Sequence, residues 1–258
     1  MASDDVLLSM RSVSKSFGGV TAVHEVSFDV HAGESVGLVG PNGAGKTTLF
    51  NCVCGQLRNE RGDISFEGRP LDGLPTYQRA RLGIGRTYQK VEVFTDMTVH
   101  DHLLVAERAR RGTGRLWKDL LNMSAPTSEE LAKVEAAMEL VGIADMAETS
   151  VNALGLGHCR LVELARALAA EPKILLADEP SSGLDLRETA EVASVLRTVQ
   201  RERGTAVFLV EHDLAMVGDV VDRTVVMDLG TMLADGTFDE VMANPSVREA
   251  YLGQMGAA

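Results

Sequence analysis

Apolar and polar positions change rhythm along this chain, and each rhythm predicts an element. Val26-Ser-Phe-Asp-Val30 alternates apolar with polar, the period of a half-buried strand. Ser35-Val-Gly-Leu-Val39 is nearly continuous in apolar residues, as expected of a strand covered on both faces. A glycine-rich turn follows, then a helical stretch from about Gly45 to Gly55, and Asp63-Ile-Ser-Phe-Glu67 alternates again. These segments predict an antiparallel sheet leaning against a buried parallel one.

From about Thr98 to Leu140 the strand rhythm fades. Thr127 and Glu130 form a capping box after Pro126, and Leu131, Val134, Met138 and Val141 then fall on one helical face. Arg108 to Arg115, rich in Arg with two Gly, predicts a solvated loop. The region reads as a helical insertion of about fifty residues. The last third returns to alternation. Leu161, Leu164, Ala165 and Leu168 make a helix face ahead of the buried strand Ile174-Leu-Leu-Ala177. Val192, Val195, Leu196 and Val199 make another ahead of Ala206-Val-Phe-Leu-Val210. Helices alternating with buried strands indicate an α/β fold with a parallel sheet.

Composition narrows the choice. The 258 residues are 45% hydrophobic and 24% charged, enough for a sizeable core, while aromatics at 4% leave that core to Val, Leu, Ala and Met. A net charge of −12 opposes broad binding to nucleic acid, so no nucleic-acid partner is expected. The acidic start Met1 to Asp5 does not resemble a signal peptide, and no apolar run approaches a spanning helix. Three cysteines without C-x-x-C spacing support neither a disulfide framework nor a zinc site. A soluble protein of a reducing compartment is expected.

Gly40-Pro-Asn-Gly-Ala-Gly-Lys-Thr47 fits G-x-x-x-x-G-K-[ST] between a buried strand and a helix, the setting of a phosphate-binding loop. Glycines let successive N–H groups point inward, and the helix beginning near Gly45 adds its positive dipole end. Candidate nucleotide contacts are therefore Gly40, Asn42, Gly43, Ala44, Gly45, Lys46, Thr47 and Thr48. Lys46 supplies charge to the β- and γ-phosphates, and the Thr47 hydroxyl is a ligand for Mg²⁺. Asp178 and Glu179 close a buried strand at its carboxyl end, where such sheets bind ligands. Asp178 is expected to hold Mg²⁺, and Glu179 to orient or deprotonate an attacking water.

Taken together, these residues resemble the nucleotide-binding subunit of ABC transporters, over nearly the whole chain. Asp178-Glu-Pro180 with Ser182-Gly-Leu-Asp185 is similar to that family's Walker B and D-loop. The resemblance implies that Gln89 is the Q-loop residue reaching Mg²⁺, His212 the switch histidine on the γ-phosphate, and Phe17 the aromatic stacked on adenine. The implied catalytic set is thus Glu179, His212 and Gln89, the metal set Thr47, Gln89 and Asp178, and the cofactors ATP and Mg²⁺. It also implies one P-loop NTPase (RecA-like) domain, with its ATP-binding core at 1–90 and 160–236. A helical insertion carrying the signature motif would span 91–159, and a helical tail 237–258.

Gly83 to Gln89, Met97-Thr-Val99, Leu103 to Ala106, Leu161 to Leu168 and the ending Asn244 to Leu252 further resemble the branched-chain amino-acid uptake ATPases. That subgroup implies a second, different cassette, two transmembrane permease subunits, an external solute-binding protein and a place on the cytoplasmic face of the membrane. Related systems carry urea or short amides, and a degenerate cassette that mainly binds ATP is a further alternative. The departure from the family lies in its signature motif. Leu154-Gly-Leu-Gly-His158 retains Gly157 but has Gly155 for the usual serine and His158 for Gln or Glu. Gly155, Gly157 and His158 would close over ATP held by the other cassette. Without the serine hydroxyl, the two nucleotide sites of a heterodimer are expected to be unequal.

Overall fold

The computed structural model describes residues 5–87, 97–111 and 126–255. Strands β1 (Val6–Phe17) and β2 (Val20–His31) form a long hairpin, and β3 (Ser35–Val39) leads into α1 (Lys46–Cys54). β4 (Arg61–Phe66) and β5 (Arg69–Pro70) complete an antiparallel sheet of order β2-β1-β4-β5. Helix α2 (Thr76–Arg81) and strand β6 (Ile84–Arg86) follow.

The helical region contains α3 (Val99–Arg111), α4 (Ser128–Val141) and α5 (Leu156–Leu168). The chain then alternates through β7 (Ile174–Asp178), α6 (Leu186–Arg203), β8 (Ala206–Val210), α7 (Leu214–Val220), β9 (Arg223–Asp228) and β10 (Thr231–Gly236). Helices α8 (Phe238–Ala243) and α9 (Pro245–Met255) end it. The second sheet runs β10-β9-β3-β8-β7-β6, parallel except for the β9–β10 hairpin. The α/β fold with an antiparallel sheet beside a parallel core is the one expected.

Every residue of β3, β7 and β8 is buried, which explains their unbroken apolar runs. In β2 the expected alternation holds, with Val26, Phe28 and Val30 inward. The sheets meet through aromatic rings: Phe28 lies 5.8 Å from Phe208, and Phe50 of α1 lies 6.1 Å from it. Burying each ring contributes about 2–3 kcal/mol.

Helix α4 starts as its capping box requires: the Thr127 hydroxyl accepts from the Glu130 N–H at 3.2 Å, and Glu130 Oε2 accepts from the Thr127 N–H at 2.8 Å. One expectation is overturned here. Arg108 is not in a solvated loop but buried on α3, with its guanidinium 3.4 Å from Glu130. The arginine run misled because α3 buries a charge against the acidic end of α4, which composition does not reveal. Among the described residues, no helix is long and apolar enough to cross a membrane.

Candidate functional site

Parallel pairing sets Leu38 opposite Val210 and Val210 opposite Asp178, so the carboxyl ends of β3, β8 and β7 form one row. Just beyond that row lie the glycine loop at Gly40, the Glu211-His212 pair and Glu179. Residues far apart in the chain are thus brought to one edge of the sheet, where such folds bind ligands. Gln89 lies outside the described residues.

The loop is tightly framed. At Gly45 φ is +97°, and a Cβ there would stand 2.1 Å from the Ala22 carbonyl oxygen, so β2 packs directly against the loop. The Ala44 carbonyl accepts from the Gly230 N–H at 3.1 Å, binding the loop to the β9–β10 turn. Asn42, Gly43 and Thr47 are exposed and Thr48 half-buried at the start of α1. Lys46 is only 7% exposed and donates from Nζ to the carbonyls of Gly40 at 2.6 Å and Pro41 at 3.0 Å. Burial lowers its pKa, partly offset by the charge of Glu179.

Asp178 is 3% exposed, and its Oδ1 is buried with no hydrogen-bond partner. Burial, with the nearby charges of Glu179 and Glu211, pushes its carboxyl up to about 6 against the pull of Arg86. A buried carboxylate oxygen without a donor suits a cation, so Asp178 fits a magnesium ligand. Glu179 has a left-handed backbone, φ +47°, and its N–H donates to the Val210 carbonyl at 2.8 Å. A non-glycine residue in that region marks a position where the surroundings impose the geometry. His212 is exposed, with its ring Nδ1 3.6 Å from Glu211 Oε2.

This framed loop, with two acidic residues and a histidine on adjoining strand ends, invites comparison with known proteins. A family model described as ABC transporter matches residues 23–182, well over half the chain. The chain belongs to the ABC transporter family. A second model, branched-chain amino acid ATP-binding cassette transporter, matches residues 231–257. The high-affinity branched-chain amino acid transport ATP-binding protein LivG of Salmonella typhimurium is 40% identical over 96% of this chain and 98% of its own. BraF of Pseudomonas aeruginosa is 37% identical over 96% and 98%. An ATP-binding cassette of an ABC transporter, solved in its ADP conformation, superposes with a TM-score of 0.85 at 27% identity, covering 96% of this chain and 99% of that one. A nucleotide-free cassette gives 0.82, also at 27% identity, over 95% and 98%.

In this ABC cassette, the other candidate residues fall in two places. Phe17 ends β1, 47% exposed, with Lys15 Nζ 5.2 Å from its ring centroid, on the hairpin that packs against the loop. The signature segment stands apart, at the N-terminus of α5. Gly155 is the N-cap of that helix and makes no side-chain cap. Gly157 is buried so closely on α6 that a Cβ would stand 2.6 Å from Glu188 Oε1. His158 is exposed and lines a cleft of about 420 Å³ with Glu139, Glu191 and Thr198.

Two supporting residues escaped the sequence reading. Buried Arg79 donates to the carbonyls of Cys52, Val53, Leu71 and Leu74, capping the carboxyl end of α1. Glu211 is wholly buried beside His212. The available signal was weak: Glu211 ends the apolar run Ala206–Val210, but Arg79 sits between Gln78 and Arg81 in a polar helix, and both resemble ordinary surface charge.

Proposed function

We propose that this chain is the ATP-hydrolysing motor subunit of an importer for branched-chain or other small amino acids. The observation that carries this reading is the C-terminal segment: the branched-chain family match spans β10, α8 and α9, on a chain whose phosphate loop and acidic strand end are in place. The chain would work at the cytoplasmic face of the membrane with a second cassette, two permease subunits and an external solute-binding protein.

In this reading the N–H groups from Gly43 to Thr48 and the Lys46 ammonium bind the β- and γ-phosphates, Lys46 exchanging its loop carbonyls for phosphate oxygens. Phe17 stacks on the adenine. Thr47, Asp178 and Gln89 would hold Mg²⁺, which would supply positive charge to the phosphate oxygens. Glu179 aligns and deprotonates the attacking water, and His212 hydrogen-bonds the γ-phosphate. Gly155, Gly157 and His158 cover the nucleotide of the second cassette. Lacking the serine hydroxyl, that opposite site would turn over more slowly, since a hydrogen bond to a charged group is worth about 1.5–3 kcal/mol.

The test is ATP-dependent uptake of leucine, isoleucine and valine by the complex reconstituted in vesicles. Glu179→Gln is expected to stop uptake and hydrolysis while ATP still binds. Uptake indifferent to Glu179→Gln would overturn the motor role, and uptake of urea or short amides in place of amino acids would overturn the substrate. Equal losses from Glu179→Gln and from the corresponding change in the second cassette would remove the inequality of the two sites.

A further inference from the structure

Glu211 has no exposed surface, yet it lies between two loops that carry reacting side chains. Its two oxygens divide between them. Oε1 accepts from the Ser181 N–H at 2.9 Å and from the Ser181 hydroxyl at 2.6 Å. Oε2 accepts from the His212 N–H at 2.9 Å and from the Asp213 N–H at 3.4 Å. Ser181 is two residues beyond Glu179, and the turn between them is closed by the Ser182 N–H donating to the Glu179 carbonyl at 3.1 Å.

A carboxylate is acceptor-only, so donors on both sides can be satisfied at once. An amide of the same shape must turn an NH₂ toward one pair of them. A buried charge is also costly unless fully hydrogen-bonded, and apolar side chains of similar volume would fill the space at less cost. The exposed ring of His212, when protonated, is a cation paired with Glu211, 3.6 Å away. Fold stability alone therefore gives a weak reason for this residue, whereas alignment of two loops gives a specific one.

We propose that Glu211 is a positioning residue that clamps the loop of Glu179 to the loop of His212, so that both side chains are presented to the γ-phosphate as one unit. The proposal rests on the roles given above to Glu179 and His212. Together with the Glu179 N–H bond to Val210, the clamp fixes the Glu179 loop to the end of β8 at two points. It acts on the rate of the chemical step and leaves the phosphate loop, and hence ATP affinity, unaffected.

The experiment is a double-mutant cycle of Glu211→Gln and Ser181→Ala in the full transport complex, with Glu179→Gln as reference, reading kcat, KM and nucleotide affinity. Glu211→Gln is expected to lower kcat about tenfold or more with KM changed less than about threefold. Ser181→Ala, which keeps the charge and the other donors, is expected to lose about threefold in kcat. The double variant should fall no further than Glu211→Gln, because both act through one clamp. An unchanged kcat in Ser181→Ala, additive losses, or a kcat loss that follows a loss of ATP affinity would each overturn the clamp. Should Glu211→Gln not fold, Ser181→Ala alone decides by the same kcat criterion. If Glu179→Gln hydrolyses ATP normally, the proposed catalytic roles fail first; if it is inactive while Glu211→Gln is not, the clamp alone fails.

Discussion

The Lys46 ammonium donates to the Gly40 carbonyl at 2.6 Å, across the loop to which both belong. A lysine held by carbonyls of its own loop gives these up only for a stronger acceptor, such as phosphate oxygens. Lys46→Ala is expected to weaken ATP binding by at least tenfold and to abolish hydrolysis, with little change in thermal stability. Titration with a fluorescent ATP analogue and an ATPase assay check both.

Asp178 gives the site a pH dependence. Exposed aspartate titrates near 4, and this one near 6. Between these values the native state keeps a proton that the unfolded chain has released, so stability falls as pH rises through the window. Magnesium-dependent nucleotide binding should strengthen over the same window, because the ion needs the ionised carboxylate. Asp178→Asn is expected to raise the Tm at about pH 7.5, by on the order of 1–3 kcal/mol of stability, while removing the magnesium-dependent thermal shift. A Tm lowered by Asp178→Asn at that pH would contradict the assignment.

Gly155 caps α5 without a side chain, and a Cβ there meets no atom within 4 Å. Gly155→Ser is therefore expected to fold and to gain a few tenths of a kcal/mol as an N-cap, raising the Tm by roughly 1 °C. If the proposed pairing with a second cassette holds, it should also speed ATP turnover in the assembled complex, since the added hydroxyl would supply a γ-phosphate contact at the opposite site. Calorimetry and steady-state ATPase rates separate the two effects.

Arg79 ties the end of α1 to the segment before α2 through hydrogen bonds to carbonyls on both sides. Arg79→Met is expected to cost about 3–5 kcal/mol and to lower the Tm by on the order of 10 °C, because buried carbonyls lose their donors. Helix α1 also carries Lys46 and Thr47, so ATP affinity should fall with the same substitution. Thermal unfolding with and without nucleotide checks this.

The parallel core and the glycine loop at its edge were legible in the sequence for a common physical reason. Strands buried on both faces carry unbroken apolar runs, as at Ser35 to Val39 and Ile174 to Ala177, and the phosphate loop needs glycines at set spacing. Other elements were hidden by irregularity. In β1 the pairing shifts between Met10 and Val13 and again before Lys15, with Ser12 at φ +48°, so the two-residue period is broken. The β9–β10 turn uses Leu229 at φ +45° before Gly230, where Asn or Asp would have announced a hairpin. Arg108 shows the opposite failure: charge read as solvated is instead buried on α3 against Glu130.

Strand β8 is hydrogen-bonded to β3 on one side and β7 on the other. The base of the phosphate loop and the acidic strand end are therefore sewn to a common thread and cannot separate without tearing the sheet. A nucleotide arriving here finds its half of the site already assembled and spends none of its affinity drawing these groups together. In the proposed motor, what it contributes on arrival would be left for work between subunits: drawing a second cassette inward and levering the membrane helices that carry the solute.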